Sequence, residues 1–499
     1  MARWEFVFSL ERQSRVPLFQ QIAQAIAGDI RRGRLRPGDP LPGTRTLARA
    51  LGVQRLTVVS AFDDLVAEGW VVSRSTRGTF VSTDLPDPKP RRFAAPRTPA
   101  LGGASGSANR VGYDLLPAPE PELPYDVPRG SLLLAPSRPD VRLVPGDLIG
   151  RAYRRAIRQP GGALLTYAPP EGHPRLRAAL ATMLASTRGL ASTAEQVCVT
   201  RGSQMAFLLL ARALLRPGDV VAVEQLGYPP VWESFRLAGA KVIGIPVDRD
   251  GLRIDALERA LVHHRVRAVY VTPHHQFPTT VTLSAGRRLK LLDLARTHRF
   301  AILEDDFDHE FHYDGRPVLP LASVDPGVAI YIGTLSKVLA PALRIGYIVA
   351  PTALIERIAA HRSYVDTQGD QVMEYAIAEL IEEGAIQRHI RRMRREYGAR
   401  RDALVAALRD QLGDRVSFDV PAGGIALWVQ AMHGIDVDAW ASAAKDRGAL
   451  IVTAASYTLD RRPQPFLRLG FASLNANELR EGVRRMTAAL PLPRVSARS

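Results

Sequence analysis

Apolar positions in the first eighty residues recur at helical spacing. In PLFQQIAQAIAGDIRRG, Leu18, Ile22, Ile26 and Ile30 fall four apart, one stripe of a helix that opens at Pro17 and closes at Gly33. The prolines and glycine of LRPGDPLP then break the chain. GTRTLARALGV predicts a short helix closed by Gly52. QRLTVVSAFDDLVAEGW predicts another, with Val58, Phe62, Leu65 and Val66 on its apolar face and Gln54, Arg55 and Thr57 near its start. WVVSRSTRGTFVS reads as a hairpin with Arg74 and Arg77 near its tip. Two helices joined by a tight glycine-containing turn, the second opening with polar residues, describe a helix-turn-helix whose second helix enters a major groove.

From residue 83 to about 128 the periodicity disappears. DLPDPKPRRFAAPRTPALGGASGSANR is rich in Pro, Gly, Ser and Ala and predicts a flexible or semi-extended linker. Beyond it, from 129 to 499, short β-branched runs alternate with helical patterns. QVCVT, VVAVE, KVIGIPV, AVYVTP, AILEDD, AIYIGT and IGYIVA read as strands buried on both faces, the α/β pattern of a largely parallel sheet, with a large domain to about residue 360 and a small domain after it.

The chain has 499 residues, enough for two or three domains with their own cores. Its net charge of +16 is uneven: residues 1–100 carry 16 Lys/Arg and 9 Asp/Glu, a balance of +7. Basic charge concentrated in a small N-terminal unit is what attraction to nucleic-acid phosphates requires. No apolar stretch of roughly 18 residues occurs and the N-terminus has no export-type apolar region, so a cytoplasmic protein with no membrane partner is expected. The single cysteine, Cys198, excludes an internal disulfide and reads as a core thiol. The histidines at 263, 264, 274, 275, 309 and 312 show no paired metal spacing with carboxylates, and no metal is expected.

Four segments of the larger unit carry chemistry. VTRGSQMAFLLL runs from a strand through Gly202 and Ser203 into a helix, a backbone cradle for a phosphate. ILEDDFDHEF places Asp305 just past a strand. GTLSKVLAPALRIGY supplies Lys337, with Thr334 and Ser336 before it and Arg344 after it, a guanidinium suited to phosphate oxygens. LGYPP positions the Tyr228 ring to stack on a planar aromatic. A phosphate cradle, an acid, an amine and an aromatic lid together match the needs of pyridoxal 5'-phosphate (PLP), whose aldehyde forms a Schiff base with an amine.

LPGTRTLARALGVQRLTVVSAFDDLVAEGWV followed by TRGTFV resembles the winged helix of GntR-type bacterial regulators. That resemblance implies contacts to double-stranded DNA from Thr44 and Arg45, from Arg55 and Thr57 in the recognition helix, and from Arg77 and Gly78 in the wing. Gly43 and Gln54 stand where that family usually has serine, which weakens the helix caps.

Residues 130–487 resemble fold-type I aminotransferases. The resemblance implies that Tyr167, in YAPPEGHPRLRAAL, reaches the cofactor phosphate of a neighbouring subunit in a homodimer, that His275 or Gln276, in TPHHQFPTT, contacts the ring oxygen of PLP, and that Arg468, in FLRLGFA, holds an effector or substrate carboxylate. Phe307 replaces a family-typical tyrosine, and Thr280 replaces a glycine. Arg391, Arg392 and Arg395 form a charged helix face or a second DNA contact.

Taken together, the chain resembles the MocR/GabR-type regulators. This implies a DNA-binding transcriptional regulator that senses PLP itself, or a small amine or amino acid, through a Schiff base at Lys337. The alternative is a working aminotransferase with an appended DNA-binding head.

Overall fold

The computed structural model describes residues 10–12, 14, 16–74, 78–85, 113–115, 127–134, 138–315 and 317–490. Arg77 and most of the expected linker lie outside the described residues. The chain divides into two compact units, residues 1–116 and 117–499.

The N-terminal unit has helices α1 (Leu18–Arg31), α2 (Thr44–Leu51) and α3 (Arg55–Ala67), followed by strands β1 (Val71–Arg74) and β2 (Gly78–Val81). β1 and β2 pair antiparallel, Val71 opposite Val81 and Arg74 opposite Gly78. Ile22, Ile26 and Ile30 meet Leu47, Val58, Phe62, Leu65 and Trp70 in one core, and truncating any fully buried Ile or Leu here to Ala would cost about 2–5 kcal/mol. Val66 is exposed, contrary to its expected place on the apolar face; Ala61 is buried instead, so the buried stripe of α3 is 58, 61, 62 and 65. α2 closes at Gly52, whose φ of 62° is the left-handed conformation open to glycine. Neither α2 nor α3 has a side-chain cap, in keeping with Gly43 and Gln54 at their cap positions.

In the second unit each of the seven apolar runs is a strand: β3 (Val197–Thr200), β4 (Val220–Glu224), β5 (Lys241–Ile245), β6 (Val266–Val271), β7 (Ala301–Asp306), β8 (Ala329–Thr334) and β9 (Gly346–Val349). They form one sheet in the order β3-β9-β8-β7-β6-β4-β5. Only β9 runs against the others. One face carries Cys198, Val223, Tyr270, Leu303 and Ile332 against Phe207 and Leu210 of helix α4 (Ser203–Leu214). The other carries Val199, Val269, Ile302 and Tyr331 against apolar side chains of residues 176–184 and 372–381. Cys198 is a core thiol, pushed up to about 11 by burial.

The chain then enters helix α5 (Ala385–Leu412), whose Met393, Tyr397, Leu404 and Leu408 pack on a smaller sheet that includes β10 (Ala426–Ala431) and β11 (Phe466–Gly470). Arg391, Arg392 and Arg395 lie on the exposed side of α5. No helix among the described residues is long and apolar enough to cross a membrane.

Candidate functional site

Strands β3, β6, β7 and β8 end at the same edge of the large sheet, where ligands of open α/β sheets bind. The period-two alternation of AILEDD places Leu303 and Asp305 on one face and Ile302, Glu304 and Asp306 on the other. Tyr270 is the register partner of Leu303, so its ring shares the face of Asp305. Tyr270 Oη donates a 3.0 Å hydrogen bond to Asp305 Oδ2. Oδ1 is buried without a partner. Burial, opposed by the Tyr270 hydrogen bond, pushes the Asp305 carboxyl up to about 7. A protonated pyridine nitrogen against Oδ1 would supply both the missing partner and the opposite charge.

After β8 the chain turns sharply. Thr334 Oγ1 accepts a 3.1 Å bond from the Ser336 amide and lies 3.0 Å from Ser336 Oγ. This turn delivers Lys337 to surroundings that include Asp308, Asp305 and Arg468. Burial lowers its amine to about 8, opposed by the two carboxylates. A substantial neutral fraction therefore exists near neutral pH, as nucleophilic attack on an aldehyde requires.

The segments expected to cradle a phosphate meet in the structure. Gly202 precedes α4 at a φ of 78°, and a Cβ there would lie 2.9 Å from Arg344 Nη2. The absent side chain makes room for the guanidinium, which donates to the Arg201 carbonyl at 2.7 Å. Arg344 is itself left-handed, with φ 53°. The α4 N-terminus, Ser203 and Arg344 thus form one electropositive rim.

The loop after β6 is fastened by residues that sequence reasoning missed. Glu224 at the end of β4 accepts from Thr272 Oγ1 at 2.7 Å and the Thr272 amide at 3.1 Å, and burial raises its carboxyl to about 7. Gln276 Nε2 donates to the Leu226 carbonyl at 2.8 Å and the Phe277 carbonyl at 2.6 Å, while its Oε1 accepts from Thr279 Oγ1 at 2.6 Å. A cofactor contact from Gln276 therefore requires one of these bonds to be surrendered. His275 Nδ1 is 2.8 Å from Asp308 Oδ1, a partner that sequence reasoning also missed. Thr280 occupies φ 65°, so the turn a glycine would make is retained by a β-branched residue at a conformational cost.

Arg468, on β11, is 1% exposed; its Nη1 donates to the Pro278 carbonyl at 2.7 Å and its guanidinium sits 4.5 Å from the Phe277 ring centroid. Phe277 also meets Tyr228 edge-on at 5.5 Å and Phe307 at 5.9 Å. Asp305, Lys337 and Arg468 therefore belong to one charged neighbourhood, and Tyr228, Phe277 and Phe307 form an aromatic cluster joined to it through Arg468. Tyr167 stands apart from both, 85% exposed.

In the N-terminal unit, Arg45, Arg55 and Gly78 are exposed and Thr44 and Thr57 half-buried. Arg55 Nε lies 3.4 Å from Thr44 Oγ1, so the starts of α2 and α3 share one surface. Leu56 between Arg55 and Thr57 is 74% exposed, an apolar side chain able to meet a thymine methyl. Its neighbours at the helix start were the available signal.

Comparison with known proteins places both units in known families. The family "Bacterial regulatory proteins, gntR family" matches residues 18–81, and "Aminotransferase class I and II" matches residues 144–486. The chain is 33% identical over 498 residues to the probable rhizopine catabolism regulatory protein MocR of Rhizobium meliloti, covering 98% of each chain. It is 33% identical over 394 residues to the HTH-type pyridoxine biosynthesis transcriptional regulator PdxR of Corynebacterium glutamicum, covering 79% of this chain and 78% of that one. Among solved structures, the multiple substrate aminotransferase of Thermococcus profundus matches with a TM-score of 0.68 and 30% identity, over 72% of this chain and 91% of that one. The chain belongs to the aminotransferase class I and II family and, across its length, to the MocR/GabR-type transcriptional regulators, a gntR-type DNA-binding winged helix joined to a fold-type I aminotransferase-like body.

Proposed function

We propose that this regulator holds PLP covalently on Lys337 and changes its grip on DNA when PLP, or an amine-bearing effector, occupies the body. The observation that carries the reading is Asp305: a buried carboxylate with one oxygen bonded to Tyr270 and the other lacking a partner, close enough to Lys337 for each to shift the other's pKa. PLP, when bound, supplies an aldehyde that reacts with amines. Asp305 would hold the ring nitrogen in its protonated form. Gly202, Ser203, Thr334, Ser336 and Arg344 would bind the phosphate, Tyr228 would stack on the ring, and His275 or a released Gln276 amide would meet its oxygen. Arg468 would take a carboxylate of the effector through its planar fork, which favours amino acids over simple amines.

In this reading the DNA-binding domain spans 1–82, a linker 83–128 and the effector and dimerisation domain 129–499. The exposed Tyr167 ring would reach the phosphate of a second subunit, making the regulator a cytoplasmic homodimer with shared sites. Thr44, Arg45, Arg55, Thr57, Arg77 and Gly78 would contact double-stranded DNA. Effector binding regulates only if the two DNA-binding states bind the effector unequally.

The test is DNA affinity measured at fixed salt for PLP-free protein, PLP-loaded protein, and loaded protein with a panel of amines and amino acids. A change on loading alone identifies PLP as the signal, and a change only with an amine identifies the amine. Equal affinity in all three states contradicts the proposal. A second reading, amino transfer with turnover, is favoured by the 30% identity to the Thermococcus profundus aminotransferase. Sustained conversion of an amino acid and a 2-oxo acid in the same samples would support it.

A further inference from the structure

The opposite face of β7 carries a second cluster. Asp306 points away from Asp305, and its Oδ2 accepts a 2.7 Å bond from Tyr331 Oη. Asp306 Oδ1 is buried with no partner. The turn that follows brings His309 beside it, with Nδ1 2.9 Å from Asp306 Oδ2 yet neither ring nitrogen aligned for a hydrogen bond. From the loop after β6, His274 places its ring centroid 4.5 Å from that of His309, and its buried Nε2 has no partner either. All three side chains are at least nine-tenths buried.

One donor atom from each of His274, Asp306 and His309 falls within 4.8 Å of the other two. Donors so spaced reach the roughly 2.0–2.2 Å bonds of a zinc-type site if each moves by less than about 1 Å. Buried polar atoms left unpaired cost free energy, and here they belong to three different side chains that converge. On this face Glu310 engages Arg188, whose Nε also lies 3.8 Å from Asp306 Oδ2, which leaves Asp306 Oδ1 as the carboxylate oxygen without a partner. His275 and His312 lie beyond His274, with His275 committed through Nδ1 to Asp308.

We propose that His274, Asp306 and His309 form a binding site for one divalent first-row transition-metal ion, of the zinc and cobalt class, on the sheet face opposite Asp305. Imidazole nitrogen with a single carboxylate oxygen is a donor set for ions of borderline softness rather than for magnesium or calcium. The spacing of the histidines concealed it, because the donors come from the ends of two different strands.

The experiment uses tag-free full-length protein treated with a chelator and then desalted. Titration with Co(II), followed by visible absorbance, and with Zn(II), followed by metal analysis after gel filtration, should each give about one retained equivalent. His309→Gln and His274→Gln should weaken retention by about 100-fold or more, while His312→Gln leaves it in place. Circular dichroism and gel filtration establish that each variant is folded, and the wild-type Co(II) spectrum needs no variant at all. No retained metal in the wild type overturns the proposal. Loss in His312→Gln with retention in His309→Gln overturns it as well, because the donors are then a different set.

Discussion

Tyr270 and Asp305 stand on neighbouring parallel strands, and the phenol bonds one carboxylate oxygen at 3.0 Å while the other is buried with no partner. The Asp305 carboxyl, raised from 3.8 to about 7, prefers its protonated form in the folded protein. A raised folded pKa on an acid gives a stability loss that grows as pH climbs from about 4 to 7 and is complete above 7. Asp305→Asn removes that loss, so PLP-free variant should outmelt PLP-free wild type at pH 8 by a wider margin than at pH 5. The widening should be on the order of 2 kcal/mol, measured by thermal or denaturant unfolding. A margin independent of pH contradicts this.

Lys337, with its amine lowered to about 8, should capture PLP faster as pH rises and level off above that value. Asp308 raises the amine's pKa, so Asp308→Asn should move the plateau to lower pH. Stopped-flow absorbance across pH 6–9 reads this directly, and a plateau displaced upward in the variant would count against the role given to Asp308.

Arg468→Lys keeps a positive charge but loses the planar fork. The response to an amino acid should weaken by roughly 10–150-fold, equivalent to about 1.5–3 kcal/mol for a hydrogen bond to a charged group. The response to the matching amine without a carboxylate should be unchanged. Parallel weakening of both responses would remove Arg468 from carboxylate recognition.

Arg55→Ala should weaken DNA binding by about 1–3 kcal/mol if Arg55 reads a base. Affinity across a salt series and across altered operators separates a base contact, which relaxes specificity, from a phosphate contact, which lowers the salt slope by about 1. PLP capture at Lys337 should stay at the wild-type level, and an accompanying loss of capture would point to a folding defect instead.

Much of this architecture is written locally. All seven β-branched runs of the body are strands of one sheet, because strands covered on both faces are mainly apolar; β5, at the sheet edge, is only half-buried and opens on the exposed Lys241. Gly202 and Ser203, Asp305 and Lys337 announce themselves because each sits at a strand end, where the apolar run stops and a polar residue begins. The partners were not legible: Tyr270, Glu224 and Asp308 look like ordinary strand and loop residues, and only the register of β4, β6 and β7 brings them to the site. Val66 was misplaced by its helical spacing because the buried stripe of α3 centres on Ala61, a residue too small to stand out in an apolar pattern. Thr280 stands where the resemblance expects a glycine, and its left-handed φ of 65° shows the conformational reason a glycine suits that position. The histidine cluster escaped because its members approach from two loops.

The proposed covalent hold on PLP at Lys337 is open to direct chemical trapping. Purified wild-type protein and Lys337→Ala should be incubated with PLP, desalted, reduced with borohydride, and compared by visible absorbance and peptide mass spectrometry. A visible band and a reduced adduct on the peptide containing Lys337 are expected in the wild type, and neither in the variant. A borohydride-stable adduct that persists in Lys337→Ala, or a wild type that retains no PLP, would contradict it.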